Sequence, residues 1–129
     1  MVDKFEFDRV LNELADEPFK WGKNDCFHFT ARCVLAWHGK DYRSLHPYKT
    51  KKEAVEYIKK HGGIERLTTG TLGYSIRAGI PHDGDVVSIE VRPGEIALGF
   101  VANRKIWLKT EKRVVAVSLT KARMVWRIR

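Results

Sequence analysis

A chain of 129 residues, 43% hydrophobic and 31% charged, is long enough for one proper core and not for two, so a single domain over residues 1–129 is expected. This composition excludes a disordered chain, and two cysteines exclude a disulfide scaffold. No apolar run approaches the ~20 residues of a membrane span, and "MVDKFEFDRV" lacks the pattern of a signal peptide, so neither a membrane partner nor a secretory signal is expected. The net charge of +8 is uneven: residues 1–84 carry 14 Lys/Arg against 12 Asp/Glu, residues 85–129 carry 10 against 4. A basic second half can contact nucleic acid or an acidic partner. Here, however, Arg123, Arg127 and Arg129 alternate with Val125 and Ile128, as on the wet face of a sheet.

In chain order, Asp3 can cap a first helix whose apolar stripe is Phe7, Val10, Leu11 and Leu14, ending at Pro18. A second helix is expected from Cys26 to about Trp37, with Asn24 or Asp25 as N-cap and Gly39 as the stop. It is apolar nearly all round, which places it in the middle of the fold. Residues 40–49 read as a loop. "TKKEAVEYIKKHGG" supplies a third helix with a Thr50–Glu53 capping box, a buried stripe of Ala54, Val55 and Ile58, and Gly62 at its close. A short helix near Ile64–Leu67 and glycine-rich turns are expected before residue 80.

From Gly84 the period changes to alternation. "DVVSIEV", "IALGFVA", "KIWLK", "RVVAVSL" and "MVWRIR" read as short strands separated by "RPGE", "NR", "TE" and "TKA". Connections that short imply an antiparallel meander. Helices followed by a meander sheet make the expected class α+β.

Cys26 and Cys33 are one helical face apart, about 10 Å along the axis at ~1.5 Å per residue, too far to bridge. Reduced thiols fit a reducing cytoplasm. Cys33, in mid-helix, reads as core. Cys26 begins its helix, where free N–H groups and the helix dipole favour thiolate and can hold an oxyanion. As a free cysteine it reads equally as a small buried hydrophobe. Gly22 permits a tight turn just before it. With no C-x-x-C or His-x-x-x-His pair, no metal site is expected, and nothing indicates a cofactor.

"FKWGKNDC" resembles the nucleophile segment of the NlpC-type cell-wall peptidases, small papain-fold enzymes with a motif close to W-G-G-x-D-C-S-G-F. "PHDGDVVSIE" is similar to their Pro-x-x-Gly-Asp-hydrophobic strand, and "EIALGFVANRKIW" to the strand pair that follows. The order from "WGxxDC" through the "YKTKKEA" helix to "MVWRI" resembles most closely a phage- and prophage-encoded branch associated with tail-assembly genes. The resemblance implies a papain-like fold, with Cys26 at the nucleophile position and Asp25 as the helix cap. It also implies other tail proteins as partners, peptidoglycan as a second one, and a setting in the host bacterial cytoplasm during assembly or in the virion tail.

The peptidases carry their general base in His-Val-Gly-Ile-Tyr. Aligning Gly99 with that glycine puts Ala97 at the histidine position, and their further polar residue falls near Leu108–Lys109. His28 points away from Cys26, His38 and His61 lie at far helix ends, and His82 precedes the first strand, about 17–20 Å at ~3.3 Å per residue from the base position at that strand's other end. His46, in the 40–49 loop, is the one histidine left free to approach. The expected function is therefore a tail-assembly or tail-tip protein on a degenerate cysteine-peptidase scaffold, with Cys26 facing the strand that holds Ala97. Two alternatives stand beside it: a working cysteine hydrolase, acting on peptidoglycan or a phage protein, with His46 or a residue of a partner protein as base, and a basic nucleic-acid-binding accessory protein. The sequence leaves the oligomeric state open.

Overall fold

The computed structural model describes residues 4–76 and 80–128. It is α+β: four helices, α1 (Lys4–Asp16), α2 (Cys26–His38), α3 (Lys51–Lys60) and α4 (Ile64–Leu72), precede five strands, β1 (Val86–Arg92), β2 (Glu95–Ala102), β3 (Lys105–Lys109), β4 (Val114–Val117) and β5 (Met124–Trp126). All pairings are antiparallel, in the order β4-β3-β2-β1-β5. The expected meander holds for β1 to β4 only. β5 does not extend it but returns to the far edge, where Val125 pairs with Val87.

That return demands a curled sheet. Four strand spacings of ~4.8 Å would separate β4 from β5 by about 19 Å in a flat sheet. Residues 118–123 must cover the distance, and they spend three residues on a 3₁₀ turn at Leu119–Lys121. Curling brings the edges together and gives the sheet two apolar faces. Val86, Leu98, Phe100, Ala102 and Trp126 pack against the helices. Val87, Ile89, Val101, Ile106, Leu108 and Val125 pack on the other face, where Ala97, Leu119 and Ala122 also lie.

α2 lies centrally, as its all-round apolarity predicts, with Phe29 and Cys33 fully buried. Phe7 of α1 locks against it edge-on through Trp37, ring centroids 5.0 Å apart, and against Phe100 of β2 at 5.5 Å. Gly39 ends the helix in the left-handed conformation, its N–H bonded to the Leu35 carbonyl. The Asp3 cap expected for α1 lies outside the described residues.

Two helices depart from expectation. In α3 the buried line is Ala54 with half-buried Tyr57 and Ile58, and Val55 is exposed. Its capping box is half formed: Thr50 Oγ1 accepts from the Glu53 N–H, and the Thr50 hydroxyl reaches the Glu53 carboxylate. α4 runs through Gly70 to Leu72, well beyond the short helix expected at 64–67. Tertiary contacts carry it there: Leu67 and Thr68 are buried, and the Trp126 indole N–H donates to Thr69.

The β2–β3 hairpin turns on two residues, Asn103 (φ 54°) and Arg104 (φ 60°), both left-handed. Asparagine tolerates that region; arginine does not. Asp83 holds the turn by accepting from both N–H groups, at 3.2 and 3.1 Å. Because the Arg104 side chain is not needed for this brace, Arg104→Gly is expected to raise stability by ~0.5–1 kcal/mol, read as a higher urea midpoint with unchanged slope. An unchanged or lower midpoint would show that the left-handed arginine carries no strain.

Candidate functional site

The segment before α2 folds around one carboxylate. Asp25 is buried, with a relative exposure of 1%, and accepts three hydrogen bonds: from the Gly22 N–H (2.8 Å), the His28 N–H (2.8 Å) and the His28 ring Nδ1 (2.9 Å). It is therefore the N-cap of α2, a role the sequence left open between Asn24 and Asp25. Asn24 lies deeper still, its amide donating to the Glu17 and Pro18 carbonyls. Gly22 has φ +82°, and a Cβ there would sit 2.1 Å from the Tyr48 carbonyl oxygen. That contact seats residues 46–48 over the start of α2.

Cys26 occupies the first turn of α2, as expected, and is partly exposed as a residue. Its thiol is nonetheless pushed up from 9.0 to about 11. Burial is the largest cause, and the Asp25 charge adds to it. The N–H groups of Leu98, Phe27 and Cys26 itself pull the other way and lose. The sequence expectation that the helix terminus would favour thiolate is thus overturned, because desolvation outweighs the dipole. Cys33 is raised further by burial alone, apart from a small opposing pull from Arg32.

Ala97 does not face Cys26. It pairs with Ile89 and packs on the side of the sheet turned away from the helices, whereas Ile96 and Leu98 belong to the helix side. The expectation that Ala97 faces Cys26 is therefore not met, because neighbouring residues of a strand point to opposite faces and it is Ile96 and Leu98 that turn to the helices. The positions of β2 that look toward α2 are hydrocarbon.

His46 is not free either. It is buried, with ring Nδ1 3.0 Å from the Tyr57 hydroxyl and Nε2 3.2 Å from Thr71 Oγ1. Thr71 spends its own proton on the Leu67 carbonyl, so it accepts from Nε2–H, while the single Tyr57 hydroxyl proton has both Nδ1 and the Leu45 carbonyl (3.4 Å) within reach. Burial is the largest cause lowering the pKa of His46 from 6.5, which favours the neutral ring. The stability it contributes is present above pH 6.5 and is lost as pH falls through the lowered value. Of the remaining histidines, His28 Nε2 lies 3.2 Å from the His46 carbonyl, His38 Nε2 2.8 Å from that of Gly84 and His61 Nδ1 2.8 Å from that of Tyr57, whereas His82 is exposed, its main-chain N–H donating to Asp85. Among the described residues no three metal-ligating side chains gather, and no helix is long and apolar enough to cross a membrane.

Two neighbours escaped the sequence reading. Tyr48, buried, packs edge-on against His28 at 5.2 Å, and its phenol is pushed up by burial first and by Asp25 and Cys26 after it. An aromatic residue inside the polar stretch "LHPYKT" is the signal that it docks. Lys109, also buried, ends β3 and donates from Nζ to the Glu17 carbonyl at 2.8 Å, tying the sheet to the loop before α2. Terminal lysines of a strand read as solvated, and only the packing shows otherwise.

Iodoacetamide alkylation of Cys26 in the folded protein should therefore show an inflection near pH 11, unmoved by His46→Ala. An inflection below the free-thiol value of ~8.5 would reveal a base. Since the folded thiol titrates above the unfolded one, its contribution to stability is complete below about pH 9 and falls as pH rises toward 11. Gly22→Ala should cost more than ~2 kcal/mol, because a Cβ there would collide with the Tyr48 carbonyl oxygen at a left-handed φ. A variant as stable as the parent would show that this contact does not matter.

No curated protein matches the chain. A family model described as a domain of unknown function (DUF6950) matches residues 4–128. The chain is a member of that family.

Proposed function

We propose that the protein is a papain-like, NlpC-type domain that has kept the nucleophile position of a cysteine peptidase and lost its chemistry, and that it serves as a structural component of phage or prophage tail assembly. Its partners are then other tail proteins, in the host cytoplasm during assembly and in the finished tail, with peptidoglycan as a surface the tail meets. The layout supports the scaffold part of this reading: a cysteine in the first turn of a central helix, set against an antiparallel sheet at Leu98. The motif order "WGKNDC", "PHDGDVVSIE", "EIALGFVANRKIW" supports the branch.

The observation that carries the loss of activity is the state of Cys26. Its thiol is held protonated at neutral pH by burial, and no imidazole is bonded to it. In a cysteine hydrolase the imidazole both sustains the thiolate and protonates the leaving amine, assistance worth roughly 10²–10⁴ in rate, or about 3–5 kcal/mol of barrier. Ile96 and Leu98, on the helix side of β2, supply neither. The alternative of a working hydrolase needs His46 or a partner protein's residue as base; His46 is committed to Tyr57 and Thr71, which leaves that alternative to a partner. No recognised reader motif stands behind the nucleic-acid alternative.

Incubation with purified muropeptides is expected to release no stem peptide, with wild type and Cys26→Ser indistinguishable. Release that Cys26→Ser abolishes would overturn the loss of activity. The tail role is tested separately, by mass spectrometry of purified particles and their tail precursors. Its presence there in a fixed ratio to other tail proteins is expected, and its absence from both would overturn that role.

A further inference from the structure

We propose that the cleft beside the face of α2 carrying His28 and Arg32 binds the phosphate group of a small molecule. The cleft has a volume of about 400 Å³, within the range of small-ligand sites. Three separate segments form its walls: the turn before α2 with Lys23, α2 itself with Arg32, and residues 41–44 with Asp41, Arg43 and Ser44. Cys26 is not among its lining residues, so the site is independent of the thiol and of whether the thiol reacts.

The charges do not close on themselves. Lys23 and Arg32 share one carboxylate, Glu17, at 3.9 and 2.7 Å, and Arg43 holds Asp41 through Nε and Nη2 at 2.9 and 2.8 Å. Counting Asp25, bonded to Gly22 and His28 of the same wall, three cations meet three carboxylates, but they are unevenly shared. Arg32 is the least satisfied. Its Nη1 sits against Glu17 without the alignment of a hydrogen bond, and among the described residues its Nε and Nη2 have no hydrogen-bond partner. Its side chain is 28% exposed, rising from a rigid helix one turn after His28. A guanidinium with free donors, fixed on a helix and lining a concave cleft beside Lys23 and Arg43, matches an oxyanion. Donors arriving from three segments match the tetrahedral phosphate better than a planar carboxylate.

The test is a titration of the full chain with inorganic phosphate at constant ionic strength, followed by amide and arginine Nε–H NMR, with acetate in a parallel arm. Saturable shifts are expected at Lys23, Arg32 and Ser44, with a dissociation constant in roughly the millimolar range or below. Arg32→Gln and the exposed Arg43→Gln should each weaken binding by about tenfold. Lys112→Gln, in the β3–β4 turn, removes the same charge elsewhere and should change it by less than about twofold. Shifts that do not saturate, acetate binding as tightly as phosphate, or equal weakening by Lys112→Gln would each overturn the assignment. Since Arg43 is half exposed on a surface turn, its variant keeps the test sound even if Arg32→Gln fails to fold.

Discussion

The structure depends on the buried carboxylate of Asp25. A charge that deep is tolerable only when donors surround it, and three do: two main-chain N–H groups and the His28 ring. Together they fix the turn at Gly22, the start of α2 and the direction of His28. From His28 the network continues to the His46 carbonyl, and from the His46 ring to Tyr57 of α3 and Thr71 of α4. A line of hydrogen bonds thus runs from one helix N-terminus to two other helices and the segment between them. Each buried ring nitrogen on it has a partner.

The same closure explains why a helix N-terminus does not activate the cysteine. Dipole and N–H groups act more strongly on a thiolate once water is gone, but they offset only part of the hydration the anion loses. Burial removes that water from Cys26, and the Asp25 charge opposes the thiolate further. Packing that stabilises the start of α2 and chemistry that needs an open, hydrated or paired thiol compete for one volume. Here packing has it.

On the other face of α2 the balance differs. Lys23, Arg32 and Arg43 stay near solvent, share two carboxylates and enclose a cleft. The start of α2 therefore carries the buried thiol of Cys26 and, one to two turns on, the cleft beside Arg32. Curling of the sheet belongs to the same economy of surfaces. β5 pairs with β1, so Val87, Ile89, Val101 and Ile106 are covered by the chain that closes the sheet and need no second helix layer.

The sequence by itself determined the local order. The 3.6-residue stripe of α1, the Gly39 stop, the Thr50 N-cap and the alternating runs after Gly84 each act within a few residues, where steric and hydrogen-bond rules are nearly independent of context. The class α+β and the placing of Cys26 in the first turn of α2 followed from them. Tertiary structure decided what depends on partners distant in the chain. The face on which Ala97 lies is set by register, and one residue of slip reverses it. β5 returned to β1 because that covers Val87 and Val125, a gain invisible in either segment alone. Whether Cys26 would be thiolate or thiol rested on the difference between burial and dipole, two opposing quantities of similar size. Burial and the Asp25 charge win over the N–H groups of Phe27, Cys26 and Leu98, and Leu98 comes to the thiol from β2, a distant stretch of the chain.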